Sequence, residues 1–255
     1  MVNIPKDHPR YQSLITREMI TEAVDAGICT PIGLIAHGRG EAFDYLIGEK
    51  TINPALIATR VSVAMLLLAK NPVLSINGNT AALVPEDVIN LGKVLNSRLE
   101  VNLFYRTEQR VKNITEKLRQ CGAKEVFGEN PDAKIPGIEH ARSKAYKEGI
   151  YSADVVLVPL EDGDRCKALV DMGKSVITID LNPLSRTSQT ATVTIVDNLI
   201  RVIPNMVAIS NEMKKLKEAE LRKVVDNFDN KRNLGDVVSH INKRLAKLSI
   251  YTDQE

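Results

Sequence analysis

The sequence predicts an α/β fold in which a parallel sheet is covered by helices on both faces, with a helical region before it and a helical segment after it. Between residues 71 and 200, short runs rich in Val, Ile and Leu alternate with stretches of helical period, the rhythm of strand–helix–strand units in a parallel sheet. Residues before 70 are mainly helical in pattern, and charged helical sequence runs on from about 199 to 248. Three parts follow: a helical region over 1–70 packed on the main domain, a nucleotide-binding core over 71–200, and C-terminal helices over 201–255.

Taken in order, residues 4–10 are polar, contain Pro5 and Pro9, and read as an extended arm. Ser13 is suited to cap a helix over 13–28, on which Leu14, Ile15, Ile20 and Val24 recur at helical spacing and which Gly27 ends. Arg17, on the flank of that stripe, is either a solvated charge or an anion ligand. After Pro31, glycines 33, 38 and 40 flank His37 and Arg39. That pattern suits either a close approach of backbone and cation to a phosphate or a glycine-rich helix connection. Gly48-Glu49-Lys50-Thr51 looks like the tail of a P-loop, but Glu49 separates Gly from Lys and no strand precedes it. Residues 53–70 form an apolar helix.

The period then changes. Strands are expected at 73–76, 101–105, 126–127, 154–159, 176–179 and 193–196, with helices at 85–96, 107–121, 141–148 and 164–172 between them and a loop at 129–137. Gly122 and Gly173 stop two of these helices. Three polar loops follow strand ends, at 77–80, 161–165 and 180–188, and in a parallel sheet all three open on one edge. Gly173-Lys174-Ser175 also imitates a P-loop ending, but it lies between a helix and a strand and position 168 is Ala where the leading Gly belongs. Asn77-Gly78-Asn79 lacks the G-x-G-x-x-G pattern, which disfavours a nicotinamide-linked reductase. Asp197 and Asn198 are suited to cap a long helix from Leu199, and Leu216, Leu221, Val224, Val225, Leu234, Val237, Val238, Ile241, Leu245 and Leu248 form an apolar stripe beyond it. The tail after residue 250 reads as frayed.

The stretch from 177 to 188, Ile-Thr-Ile-Asp-Leu-Asn-Pro-Leu-Ser-Arg-Thr-Ser, organises the chain. A buried strand ends in Asp180, Asn182, Arg186, Thr187 and Ser188, and Pro183 prevents its continuation. Ligands of open α/β sheets collect beyond the carboxyl ends of strands, so this set suggests a nucleotide or phosphate site. An Asx-type turn with Arg186 in water is the alternative.

Composition narrows the choice. The 255 residues carry a net charge of +2, with 44% hydrophobic and 4% aromatic side chains and no Trp. With a pI near 8.3, the chain lacks the cationic field and base-stacking platform of a nucleic-acid binder. The longest apolar run, around 61–69, is well short of a membrane span, and the chain opens on no apolar leader, which points to the cytoplasm. Cys29, Cys121 and Cys166 form no Cys-x-x-Cys pair, and the spacing of His8, His37, His140 and His240 suits no zinc face.

Several motifs together resemble the archaeal phosphopantothenate synthetases over essentially the whole chain: Pro5-Lys-Asp-His-Pro-Arg-Tyr, Ala36-His-Gly-Arg-Gly-Glu-Ala-Phe-Asp-Tyr, Ile76-Asn-Gly-Asn-Thr, Glu148-Gly-Ile-Tyr-Ser-Ala-Asp-Val, Pro159-Leu-Glu-Asp-Gly-Asp-Arg and Asp180-Leu-Asn-Pro-Leu-Ser-Arg-Thr. The resemblance implies a Rossmann-like subunit of a homodimer that uses ATP to join 4-phosphopantoate to β-alanine, releasing AMP and diphosphate, in coenzyme A synthesis. It implies ATP contacts at Arg17, Arg39, Asp180, Leu181, Asn182, Arg186, Thr187, Asn198 and Leu199.

On that reaction, Arg39 and Arg186 are expected to stabilise charge developing on the α-phosphate. Asn77, Gly78, Asn79 and Thr80 are either a cradle for the substrate phosphate or an ordinary turn. Magnesium is expected with ATP, and no ligand set for it is assigned. Glu161, Asp162 and Asp164 are candidates to touch it or to receive the β-alanine ammonium group, and equally fit an acidic helix start. His37 is either a base for the amine or a structural histidine. A non-catalytic nucleotide-binding or sensing protein on the same sheet is the competing reading.

Overall fold

The computed structural model describes residues 4–252. The chain begins with α1 (Tyr11–Asp25), α2 (Pro31–Ile47) and α3 (Asn53–Leu68), then enters the sheet through β1 (Pro72–Ile76), α4 (Gly78–Leu83), α5 (Pro85–Leu95), β2 (Arg98–Val101) and α6 (Glu108–Gln120). A two-stranded antiparallel ribbon, β3 (Ala133–Lys134) and β4 (Lys144–Ala145), precedes β5 (Val155–Pro159), α7 (Gly163–Asp171), β6 (Ser175–Ile179), α8 (Arg186–Thr190) and β7 (Val193–Ile195). The chain continues through α9 (Leu199–Met213), α10 (Glu218–Asp226) and α11 (Asn230–Thr252).

The main sheet has the order β2-β1-β5-β6-β7, and every pairing in it is parallel. All the strand ends therefore face one edge, as expected, and the order reverses direction between β1 and β5, where doubly wound sheets open a crevice. Alternation along the strands divides the core in two. Leu74, Ile76, Leu157, Ile177, Ile179, Val193 and Ile195 point into the larger core, shared with α3, α5, α6 and α9. Val73, Val156, Val158 and Val176 point the other way, onto Cys166 and Leu169 of α7 and onto Ile135 and Ala145 of the ribbon segment. The larger core is continuous from Ile20 of α1 to Ile241 of α11, so the first and last helices share it with the sheet.

Several expectations are corrected. Residues 4–10 form two successive turns, with the His8 amide bonded to the Pro5 carbonyl and the Tyr11 amide to that of His8, so the arm is not extended. The glycine-rich stretch from Pro31 is itself a helix. Gly33 and Gly40 let it lie close to its neighbours, since a Cβ would come within 2.7 Å of Asn79 Oδ1 at the first and 3.2 Å of Leu181 Cδ1 at the second. The second strand is Arg98–Val101 rather than 101–105. Its pairing with β1 runs from Arg98 to Val101, which puts Glu100 in the interior, while Phe104 and Tyr105 are each 51% exposed. A buried glutamate among strand residues concealed that register.

The 126–127 strand reduces to a single bridge between Phe127 and Glu100. The expected 129–137 loop contains β3, and the 141–148 helix is replaced by a 3-10 turn (Ala141–Ser143), β4 and a helical turn at Lys147–Tyr151. The apolar stripe of α11 is buried as far as Ile241, after which Leu245 and Leu248 are exposed. The helix runs to Thr252, and residues 253–255 of the expected frayed tail lie outside the described residues.

Candidate functional site

The carboxyl edge of the sheet is assembled by short capping motifs. Asp180 leaves β6 with its Oδ1 accepting the Asn182 amide and its Oδ2 accepting the Ser185 hydroxyl. Asn182 in turn accepts the Leu184 amide, and Ser185 caps α8 by accepting the Ser188 amide. The Asx turn of the alternative reading is present, with Arg186 largely in water beyond it, and the same turn shapes the loop at the strand end. Burial raises the Asp180 carboxyl above its usual value, against the lowering effect of the Ser185 and Asn182 bonds and of the Arg39 charge.

The unfolded Asp180 carboxyl titrates near 3.8 and the folded one higher. Between those two values the folded protein holds more protons than the unfolded chain, so stability falls as pH rises through the window. Asp180→Asn is expected to remove that fall. Thermal melts at successive pH values should show the variant gaining on the parent across the window, and parallel curves would refute it.

Arg39, on α2, is exposed and forms no hydrogen bond or ion pair with any described residue while standing within electrostatic reach of Asp180. Arg186 is 76% exposed and ion-paired at 2.8 Å with Asp164, itself 65% exposed, a surface contact that an incoming anion can displace. Thr187 is buried, and its hydroxyl donates to the Glu161 carbonyl at 2.8 Å, fastening the α8 turn to the loop after β5. Gly163 is required by this contact, because a Cβ there would lie 2.7 Å from Arg186 Cβ. Leu181 and Leu199 are buried, with their side chains in the larger core.

Arg17 is placed differently. Its guanidinium bonds Glu41 Oε2 through Nε and Nη2, at 3.0 and 2.8 Å, and reaches the Tyr45 hydroxyl. Burial works to raise the Glu41 carboxyl, but hydrogen bonds from Ser13 and Arg17 hold it below its usual value. Glu41 is two residues from Arg39, about 200° around the helix, so within this chain the two arginines flank opposite sides of α2. His37 stands with the Arg17 group. Burial pushes its imidazole below its usual value, and its Nε2 is buried without a partner.

Asn198 caps α9 by accepting the Ile200 amide and donates to Asp44 Oδ2 at 2.9 Å. Asp44 is also held by Arg201, whose Nε reaches Asp197 at 2.7 Å. This buried ion network went unread in the sequence. Its one signal is a carboxylate inside the apolar run of Phe43 to Ile47.

At the end of β1, Asn77 accepts the Thr80 amide and hydroxyl and donates to the Pro159 carbonyl at 2.7 Å. Asn79 is buried and donates to the Gly33 carbonyl, and a Cβ on Gly78 would lie 2.6 Å from the Ile28 carbonyl. These side chains are engaged in joining β1 to β5 and to α2. Lys174, in the second P-loop imitation, donates to the Tyr151 and Ala153 carbonyls, and Gly173 adopts φ +78°, as a helix stop does.

The three cysteines are free, and burial pushes the Cys29 and Cys166 thiols up to about 11 and about 12. Among the described residues no three His, Cys, Asp or Glu side chains gather as a metal site, and no helix is long and apolar enough to cross a membrane.

Residues 54–244 match the family model described as phosphopantothenate/pantothenate synthetase. The chain is 58% identical to the 4-phosphopantoate--beta-alanine ligase of Thermococcus kodakarensis over 250 residues, covering 98% of this chain and 96% of the relative. It is 55% identical to the protein of the same name from Methanosarcina mazei over 252 residues, 99% of each chain. A third, from Methanospirillum hungatei, is 46% identical over 96% of this chain and 99% of its own.

Proposed function

Because the chain belongs to the phosphopantothenate/pantothenate synthetase family, we propose that it condenses 4-phosphopantoate with β-alanine at the expense of ATP, forming 4′-phosphopantothenate with release of AMP and diphosphate in coenzyme A biosynthesis. A free carboxylate is a poor acyl donor. In this reading the pantoate carboxylate attacks the α-phosphate of ATP, diphosphate leaves, and the amine of β-alanine then displaces AMP from the acyl adenylate.

The observation that carries the assignment of roles is Arg39, a guanidinium with no described partner beside the Asp180 turn. Opposite charges 4 Å apart attract by about 4 kcal/mol at an effective dielectric near 20, enough to offset one repulsion between two anionic substrates. Arg39 stabilises charge on the α-phosphate, and Arg186, released from Asp164, joins it. Asp180, Leu181, Asn182, Thr187 and the Asn198–Leu199 start of α9 receive the nucleotide. The region 1–70 thus supplies cations to a turn of the 71–200 core, and the helices of 201–255 brace both.

Arg17, on the far flank of α2, reaches nucleotide either by leaving Glu41 or across a homodimer. We place the dimer contact on the Arg39 side of α2, where Ile32 and Ile35 are 48% and 56% exposed. A monomeric mass by light scattering would overturn that. Asn77, Gly78, Asn79 and Thr80 keep a supporting part in binding the acid through main-chain groups. No residue of this chain is assigned to magnesium, which would enter with ATP, held chiefly by phosphate oxygens and water, and would supply neutralisation of charge on the phosphates. We assign the enzyme to the cytoplasm, a reducing compartment that suits its free thiols.

The deciding experiment measures AMP and diphosphate with each substrate omitted in turn. Release that requires ATP, 4-phosphopantoate and β-alanine together supports the ligase. ATP binding without AMP formation under any amine would favour the nucleotide-sensing alternative.

A further inference from the structure

Beside the Thr187–Glu161 contact lies a second group of charged side chains that the nucleotide loop does not use. Arg165, in the first turn of α7, is ion-paired with Glu161, and Arg142, in the turn before β4, with Asp162. The arginine side chains are only 2% and 8% exposed. Arg142 is roofed by Phe104, whose ring centroid lies 4.2 Å from the guanidinium carbon, and Phe104 is itself half exposed. Arg165 retains two buried donors, Nε and Nη2, with no partner. Buried charged donors are seldom left unsatisfied, and where they are, a ligand or water is the usual reason.

The balance of charge indicates which ligand. A pocket for a phosphate dianion carries surplus positive charge, whereas two guanidinium groups here face two carboxylates. Glu100, the other acid near Arg165, is already spent on the Tyr146 and Ile150 amides and the Asn102 side chain, and burial raises its carboxyl. Asp164, which Arg142 also feels, is 65% exposed and lies on the solvent side of the group, outside the buried set. A neutral arrangement of both signs complements a small zwitterion, and of the two acceptor and donor substrates of the proposed reaction only β-alanine is one.

We propose that Arg142, Arg165, Glu161 and Asp162 form the β-alanine subsite, the arginines taking its carboxylate and the acids its ammonium group, with Phe104 moving aside to admit it. The inference rests on the ligase reading above. Glu161 and Asp162 belong to the turn fastened to Thr187, so the amine is the end presented toward the acyl adenylate. The two ion pairs hold the site together until the zwitterion exchanges partners with them, and Arg165 then gains acceptors for its spare donors.

The test separates the two half-reactions. In Arg142→Gln, the KM for β-alanine is expected to rise by about tenfold or more, because a charged bidentate partner for the carboxylate is gone. Exchange of labelled diphosphate into ATP, dependent on 4-phosphopantoate and run without β-alanine, should keep the parental rate and KM values. Propylamine, which lacks the carboxylate, should be used equally poorly by parent and variant, so that the preference for β-alanine over it shrinks. Arg142→Lys, which keeps the charge but loses the planar fork, should lie between, and it serves if the Gln variant does not fold. An unchanged β-alanine KM, or a loss that falls instead on the KM for 4-phosphopantoate, overturns the proposal while leaving the ligase reading standing. If the parent shows no such exchange, the KM values of all three substrates are read from AMP release instead, where a rise confined to β-alanine supports the proposal and a rise in another overturns it. No AMP release with all three present would sink the ligase reading and this inference with it.

Discussion

Arg39→Ala is expected to lower kcat by roughly 100- to 1000-fold, the range seen when one preorganised donor to a developing anion is removed. The fold should survive, since Arg39 is exposed and bonded to no described residue, so its removal leaves no buried group without a partner. Single-turnover measurement of diphosphate release, alongside a thermal melt, checks both halves. Arg186→Ala should follow in the same direction at the cost of one exposed ion pair with Asp164. Near-parental turnover in both variants would discard the arginine clamp, although membership of the family would stand.

Arg201→Ala is expected to act on the fold instead. Arg201 bridges Asp44, whose side chain is 6% exposed, and Asp197, at 1%. The same two acids receive Asn198 and Thr51, so α2, the loop before α3 and the start of α9 meet at this guanidinium. Its removal leaves two buried carboxylates facing each other, and breaking such a network from one side costs about 3–5 kcal/mol. At roughly 2–4 °C per kcal/mol for a chain of this size, the melting temperature should drop by on the order of 10 °C. Arg222→Ala is the control: its pair with Glu218 is more than half exposed on both sides, and such pairs contribute about 0–1 kcal/mol. A similar melting temperature for both variants would show that the network is not structural. Misplacement of Asn198 should also weaken ATP binding in Arg201→Ala, which calorimetry can read.

Local signals read correctly where they depend on neighbours along the chain. Asn198 caps α9, as its side chain and the following helical period require, whereas Ser13 caps no helix: α1 begins at Tyr11 and the Ser13 hydroxyl donates to Glu41. Gly27, Gly122 and Gly173 stop their helices at positive φ, a conformation few other residues adopt at low cost. Readings failed where a distant partner overruled local preference. The stretch around Arg39 is a helix whose Gly33 and Gly40 answer to distant neighbours, Asn79 and Leu181, which leave no room for a larger side chain. Glu100 became a strand residue because the turn at 146–150 supplies main-chain amides to its carboxylate.

The sequence by itself determined the alternation of strand and helix, the parallel sheet, the polar loops at one of its edges and the family, because periodicity, caps and ordered motifs are written along the chain. Only the tertiary structure decided which charges are already spent. It pairs Arg17 with Glu41, joins Arg201 to Asp44 and Asp197, locks Arg142 and Arg165 to their acids, and leaves Arg39 without a partner among the described residues beside Asp180. An arginine looks the same in any sequence. Whether it is a strut or a ligand depends on burial and on which partners, four residues away for Arg165 or more than a hundred for Arg201 and Asp44, the fold sets against it.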